Sequence, residues 1–274
     1  MAASFLPFLL AWPRALMRDR AWQWELAART ISGGKTLGGA MPIARVDGGG
    51  LWTCEMTDVQ VSTPDQVRAW RALASALDGG ATPVVLEARD ERGAPWPISG
   101  VSALTTGNAD GSGPSDGSEY TTPAISISLR ENAALRATVL NISIAQASAL
   151  RGGELFSIEH PTFSHRLYRI AAVTMGRAAA AISIRPPLRE ATTAGTVLEF
   201  DRPRCVMRLA TPDAMDLALT RRTFGQARVR FVERLPPFAV GDTVVDLVAP
   251  AEYDLGSLGF EFEEASGLVA SLAI

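Results

Sequence analysis

Residues 151–210 read RGGELFSIEHPTFSHRLYRIAAVTMGRAAAAISIRPPLREATTAGTVLEFDRPRCVMRLA. Apolar and polar residues alternate here in short runs separated by turn residues, which is a strand period. In Glu154–Glu159 the apolar positions are Leu155, Phe156 and Ile158. After His160-Pro161 the run Arg166–Thr174 offers Leu167, Tyr168, Ile170 and Val173 to a core. Met175-Gly176-Arg177 is a hairpin turn, because glycine takes positive φ without steric cost. Ala180–Arg185 returns with Ile182 and Ile184 on one face, and Pro186-Pro187 stops it, since proline cannot donate to a ladder. Gly195 leads into Thr196–Phe200, and Pro203 separates that strand from Cys205–Leu209. Five strands at this spacing predict a small barrel or sandwich over 150–209, with a small β-barrel as the form expected. A stretch of about sixty residues is marginal for an independent core, so it leans on the rest of the chain.

Working outward, the flanks carry two strand–helix–strand units. Thr63 is a good N-cap, Pro64 suits the first helical position, and Gln66 completes a capping box. Val67, Trp70, Leu73, Ala74 and Leu77 then repeat at helical spacing until Gly79-Gly80 ends the helix, with a strand over Thr82–Ala88. A second helix is predicted from Thr211-Pro212-Asp213 to near Gly225, followed by a strand over Gln226–Val232. Thr-Pro-Asp opens both helices, which reads as a common capping solution rather than an internal repeat. Trp22–Ile31 alternates as a strand. Met41–Val46 and Leu51–Ser62 are two more, joined at Asp47-Gly48-Gly49-Gly50 as a hairpin. Thr122–Leu129 and Ala134–Ala147 complete the set. The fold class expected is mainly β, with helices, a small inserted β-barrel and extended terminal arms. Its divisions are an apolar N-terminal arm (1–20), a core of strands and helices (21–149 and 210–236), the barrel (150–209) and an acidic C-terminal extension (237–274).

Charge and composition narrow the function classes. With 47% hydrophobic residues the chain is globular, and a net charge of −3 gives no general reason for nucleic-acid binding. Residues 237–274 hold seven acids and no Lys or Arg, leaving 26 basic and 22 acidic groups in the first 236 residues, a net +4. The extension packs on a neighbour's basic face or is a solvated tail; the two readings stand equal. Residues 3–12, ASFLPFLLAW, are too short to span a bilayer and lack a basic leader region, so no stable membrane insertion is expected. They read as an arm docking Phe5, Phe8 and Trp12 on the chain's own body or on a neighbouring subunit. Cys54 and Cys205 sit in apolar strands and read as reduced, buried thiols of a protein made in the cytoplasm.

Motifs of chemistry fail on spacing. Ser32–Gly39, SGGKTLGG, has Arg29 where a phosphate loop needs glycine, and reads as a glycine-rich hairpin loop. In residues 105–119, TTGNADGSGPSDGSE, the terminal glutamate of a calcium loop is replaced by Gly117, leaving a polar surface loop. His160 and His165 are the only histidines and have no metal-ligand spacing with other donors. There is no Gly-x-Ser-x-Gly elbow. No catalytic residue, metal or cofactor is expected. Arg185, Arg189, Arg202, Arg204 and Arg208 cluster around the last barrel strands, as an acidic partner's surface or as solvated strand ends.

An early hairpin, the helix in VRAWRALASALDGGATPVV, and GGELFSIEHP…RLYRI…AISIRPPLREA…GTVLEFDRPRCVMRLA together resemble the distal tail proteins of long-tailed bacteriophages and prophages. The resemblance covers roughly Trp22 to Arg234 and rests on strand content and turn positions. It implies that 21–149 and 210–236 fold as a β-sandwich flanked by an α-helix, in a virion protein of the tail tip made in the host cytoplasm and not an enzyme. It implies a homo-oligomeric, hexameric ring that joins the tail tube protein to a hub protein and to receptor-binding or tail-fibre proteins. Subunit contacts are then expected at Phe5, Phe8, Trp12, Arg185, Arg189, Arg202 and Arg204. A tail tube or baseplate hub protein, or a glycan-binding module, is the alternative. No carbohydrate-binding module follows the sandwich, and the segment beyond Pro237 has no counterpart in the family.

Overall fold

The structure is a computed structural model. It describes residues 8–13, 21–27, 30–35, 37–45, 49–90, 92–97, 103–106, 120–175, 179–215, 225–236, 243–246, 259–263 and 269–273. The fold is mainly β, with one α-helix among the described residues. The chain forms two compact units, one from 1–29, 50–87 and 205–274, the other from 30–49 and 88–204.

The first unit is built on strands β1 (Phe8–Ala11), β2 (Ala21–Ala27), β5 (Leu51–Val61), β6 (Val84–Glu87), β14 (Arg204–Leu209), β15 (Gly225–Glu233) and β16 (Thr243–Asp246). They form one seven-stranded sheet in the order β16-β1-β6-β14-β15-β5-β2. The expected strand–helix–strand units are thus interleaved, with β14 and β15 lying between β6 and β5. A hairpin of β17 (Gly259–Glu263) and β18 (Val269–Ala273) forms its own ladder.

Helix α1 (Pro64–Leu77) starts where the capping residues place it. Thr63 Oγ1 accepts the Gln66 backbone N–H at 3.2 Å, and Gln66 Oε1 accepts the Thr63 N–H at 3.1 Å. The reciprocal pair satisfies two donors that a helix start leaves orphaned. Its buried stripe is Trp70, Leu73 and Leu77. The Trp70 indole donates to the Met215 carbonyl at 2.7 Å, and the Trp12 ring meets Trp70 and Phe231 edge-on at 6.1 and 5.6 Å. The predicted second helix begins as turns over Thr211–Met215; its remainder, 216–224, lies outside the described residues.

Of the two docking places open to the N-terminal arm, residues 8–13 take the chain's own sheet. β1 runs parallel to both β16 and β6, and Leu9, Leu10 and Trp12 are buried. Phe5 and the side chain of Phe8 lie outside the described residues. So does most of the acidic extension, of which Thr243–Asp246 pair with β1, and Gly259–Glu263 and Val269–Ala273 pair as β17 and β18.

The second unit carries β9 (Ser126–Leu129), β10 (Val139–Gln146), β11 (Leu155–His160), β12 (Ser164–Met175) and β13 (Ala179–Arg185), in the order β11-β12-β13-β10-β9. This sheet curls into a half-barrel. Segment 195–200 runs across both of its edges. Leu198 donates to Ile127 O on β9, and Ser157 on β11 exchanges two backbone bonds with Glu199. Phe156 stacks on Tyr168 and Phe200 at 5.6 and 5.2 Å in the core. Each such side chain contributes on the order of 1.5–3 kcal/mol by leaving water.

Stretch 150–209 therefore supplies three strands and the crossing segment, while β9 and β10 come from 126–146. Its predicted last strand, Cys205–Leu209, lies in the seven-stranded sheet as β14. The reason is visible in burial. Cys205, Val206 and Met207 are all covered, which suits an interior strand with both faces packed. The predicted turn at 175–177 falls largely outside the described residues.

Two small ladders complete this unit. β3 (Thr30–Ser32) pairs with β4 (Ile43–Arg45), and β7 (Ala103–Thr106) with β8 (Tyr120–Pro123). The glycine-rich stretch 32–39 is a hairpin loop as expected. The hairpin predicted between 41–46 and 51–62 does not form, because β4 pairs back with β3 and β5 lies in the other sheet. Gly49 (φ +69°) instead presses on Pro186 and Pro187, where an added Cβ would stand 2.3 Å from Pro187 Cδ. The polar loop expected at 105–119 lies outside the described residues from 107 onward.

Candidate functional site

The β11–β12 hairpin places its charged residues on two faces. Residues directly opposed in an antiparallel pair share a face. Phe156 opposes Tyr168 and Ile158 opposes Arg166, which makes the inner set; Ser157 opposes Leu167 and Glu159 opposes His165, which makes the outer one. Both predicted histidines belong to this hairpin, but they do different things.

His160 is buried behind the hairpin turn. Its Nε2 stands 2.8 Å from Tyr168 Oη, which also accepts the Arg189 backbone N–H at 3.0 Å. Burial pulls the imidazole pKa down to about 4; Glu190 opposes that shift and Arg166 adds to it. The turn itself is held by Glu190, whose Oε2 accepts the Thr162 and Phe163 N–H groups at 3.1 and 3.0 Å. Burial raises the Glu190 pKa, but the hydrogen bonds from Thr162 and Phe163 outweigh it and hold the carboxyl below its ordinary range. Arg166 is fully buried and donates from Nε to the Phe163 carbonyl at 2.6 Å, with its guanidinium 5.8 Å from the Phe163 ring centre. These contacts tie strand, turn and the 186–190 segment into one rigid end.

His165 faces outward into a recess of about 250 Å³ lined by Ser157, Glu159, His165, Val197, Glu199, Arg202 and Arg204. Only 9% of His165 is exposed. Burial lowers its pKa; Glu159 opposes this, and Arg204 and Arg166 reinforce it. The ring is therefore neutral at pH 7 and carries one donor and one acceptor nitrogen. Glu199 turns part of its carboxylate to the backbone, accepting the Asp201 and Arg202 N–H groups at 2.8 and 2.9 Å. That turn carries Arg202 onto the rim. The recess can hydrogen-bond in both senses and holds both signs of charge. No group of three or more His, Cys, Asp or Glu among the described residues is arranged to hold a metal ion.

The predicted arginines divide. Arg202 and Arg204 come together in the recess. Arg189 is buried at the rigid end, and Arg185 is half-buried and donates to its neighbour's carbonyl, Ile184 O, at 2.7 Å. Trp12 is packed in the core of the first unit.

Sequence reading found His165, Arg202 and Arg204 but not Ser157, Glu159 and Glu199. The signal was present for two of them. Ser157 and Glu159 alternate onto one face of β11, and a tight turn at 161–163 sets Glu159 opposite His165. A second feature was only half seen: the loop at 32–39 and a strand over 41–46 were expected, but not their closing as a β3–β4 ribbon on which Ile31, Leu37, Met41 and Ile43 are each more than half exposed.

No helix among the described residues is long and apolar enough to cross a membrane. No protein-family model matches the chain, and no curated protein sequence matches it.

Proposed function

We propose that this chain is a structural component of a phage tail tip, a distal tail protein whose copies close into a hexameric ring between the tail tube and the hub. Its finer fold in this reading is a sandwich flanked by α1 with the curled sheet as an inserted barrel. The resemblance along 22–234 supplies the identity. The β3–β4 ribbon is the observation that carries the assembly role.

Ile31 opposes Ala44 and Ser32 opposes Ile43, so Ile31 and Ile43 point to opposite faces of the ribbon. They are 62% and 68% exposed, and Leu37 at the tip is fully exposed. A two-stranded ribbon is marginal by itself in water. Laid on its own body, it would cover one face and leave the other wet. A ribbon that is apolar on both faces suits insertion between neighbours. A ring joins two different surfaces of successive copies, as such an arm requires.

The test is the mass of the purified chain by light scattering across a concentration series, beside the variant Ile31→Asp/Ile43→Asp. The proposal expects a closed oligomer for the parent chain and monomers for the variant. A parent that stays monomeric at every concentration, or a variant that assembles equally well, would overturn it.

A further inference from the structure

We infer that strand β2, at the edge of the seven-stranded sheet, is a contact surface for β2 of a second copy, the two strands running antiparallel and centred on Trp24. This goes beyond the ring reading and stands without it. β5 takes one side of β2 over all seven of its residues, and no described strand takes the other. An edge strand presents unpaired N–H and C=O groups, which proteins ordinarily guard with Lys, Pro or a bulge. Ala21–Ala27, AWQWELA, has no Lys or Pro and pairs with β5 without a register shift. Its one charge is Glu25. Trp22, Trp24 and Leu26 share the inner face and stay half-buried, although Trp24 meets Trp22 and Trp52 edge-on at 6.3 and 6.4 Å. A strand added at this edge covers those side chains.

The order of residues says which strand fits. About Trp24 the stretch mirrors itself in chemistry: Gln23 matches Glu25, Trp22 matches Leu26 and Ala21 matches Ala27. A two-fold axis at Trp24 therefore opposes Trp24 to its own counterpart, and Trp22 to Leu26, in one apolar row. On the other face Gln23 opposes Glu25 twice. The Gln23 amide donates one N–H to its own Glu25 at 2.5 Å and has a second for the carboxylate across the axis. Other registers fit worse. Centring on Glu25 sets like charges face to face, and centring on Gln23 leaves Leu26 and Ala27 with no opposite in the strand. A slip by one residue turns the tryptophans to the wrong face. One seven-residue edge pair is a small interface, which places it in the weak and transient class.

A transient contact is read by disulfide trapping. The full chain carries Ile31→Asp/Ile43→Asp throughout, so that ribbon assembly plays no part, and is made as Gln23→Cys and as Glu25→Cys. Both positions are exposed, and the native Cys54 and Cys205 are buried. Under mild oxidation an equimolar mixture should cross-link about fivefold faster than either variant alone, because positions 23 and 25 oppose each other across the axis while like positions lie on the longer diagonal. In sedimentation, Gln23→Lys sets a cation against each Glu25 and Gln23→Glu sets an anion there. The first should associate about tenfold more tightly than the second, since the change acts at both symmetric pairs. No cross-link in the mixture, equal cross-linking of the single variants, or the same association for Gln23→Lys and Gln23→Glu would overturn the inference and leave the ring reading as it stands.

Discussion

Tyr168 Oη lies 2.8 Å from His160 Nε2 inside the second unit, and the same oxygen takes the Arg189 backbone N–H at 3.0 Å. One phenol thus joins β12, the end of β11 and the segment after Pro186-Pro187. Replacing it by phenylalanine keeps the ring stacked on Phe156 but strands a buried backbone donor and an imidazole nitrogen. Tyr168→Phe should lower stability by about 1–3 kcal/mol in urea unfolding, with little change in far-ultraviolet circular dichroism.

The neighbouring histidine makes stability depend on pH. In the native chain His160 takes its proton only near pH 4, because burial disfavours the charged ring, while its ordinary value is 6.5. Between those values the unfolded chain binds the extra proton. The contribution is therefore complete above about pH 6.5 and disappears as pH falls toward 4, an effect on the order of 3 kcal/mol. His165 is shifted the same way and adds to the slope. Urea midpoints from pH 7 to pH 4 should fall for the parent and fall less steeply for His160→Gln. Parallel curves would show that His160 is not the source.

Thr63 and Gln66 form the box that starts α1. Thr63→Ala removes the hydroxyl from the Gln66 N–H and should cost about 1 kcal/mol, with Thr63→Ser close to the parent. Thermal melting of the three chains would order them.

Trp12 packs edge-on against Trp70 and Phe231, in a strand neighbourhood that β1 helps to build. Truncation to alanine should therefore cost roughly 3–5 kcal/mol of folding stability. Removing residues 1–13 should unfold the first unit. A truncated chain that melts like the parent and merely assembles less well would return Trp12 to the role of an intersubunit contact.

These particulars show what was legible in the sequence. Local rules carried well: Thr63-Pro64 and Gln66 set a helix start, Pro186-Pro187 ended a strand, and period-two runs marked β11, β12 and β13. Pairing did not carry, because it depends on distant partners. Nothing near Cys205 says that its strand belongs between β6 and β15, and the glycines at 48–50 resemble a hairpin turn whatever they pack against. Likewise His165 was visible as a residue, but its recess exists only once segment 195–200 crosses both sheet edges. The loop at 32–39 was legible, but the pairing of β4 back onto β3 was not, because the apolar residues of 30–45 lack a one-faced period; that same absence leaves both faces of the ribbon apolar.

Assembly through that ribbon can be seen by electron microscopy of the purified chain. Closed six-fold rings are expected for the parent chain and isolated single copies for Ile31→Asp/Ile43→Asp. Single copies of the parent at all concentrations, or intact rings of the variant, would contradict it.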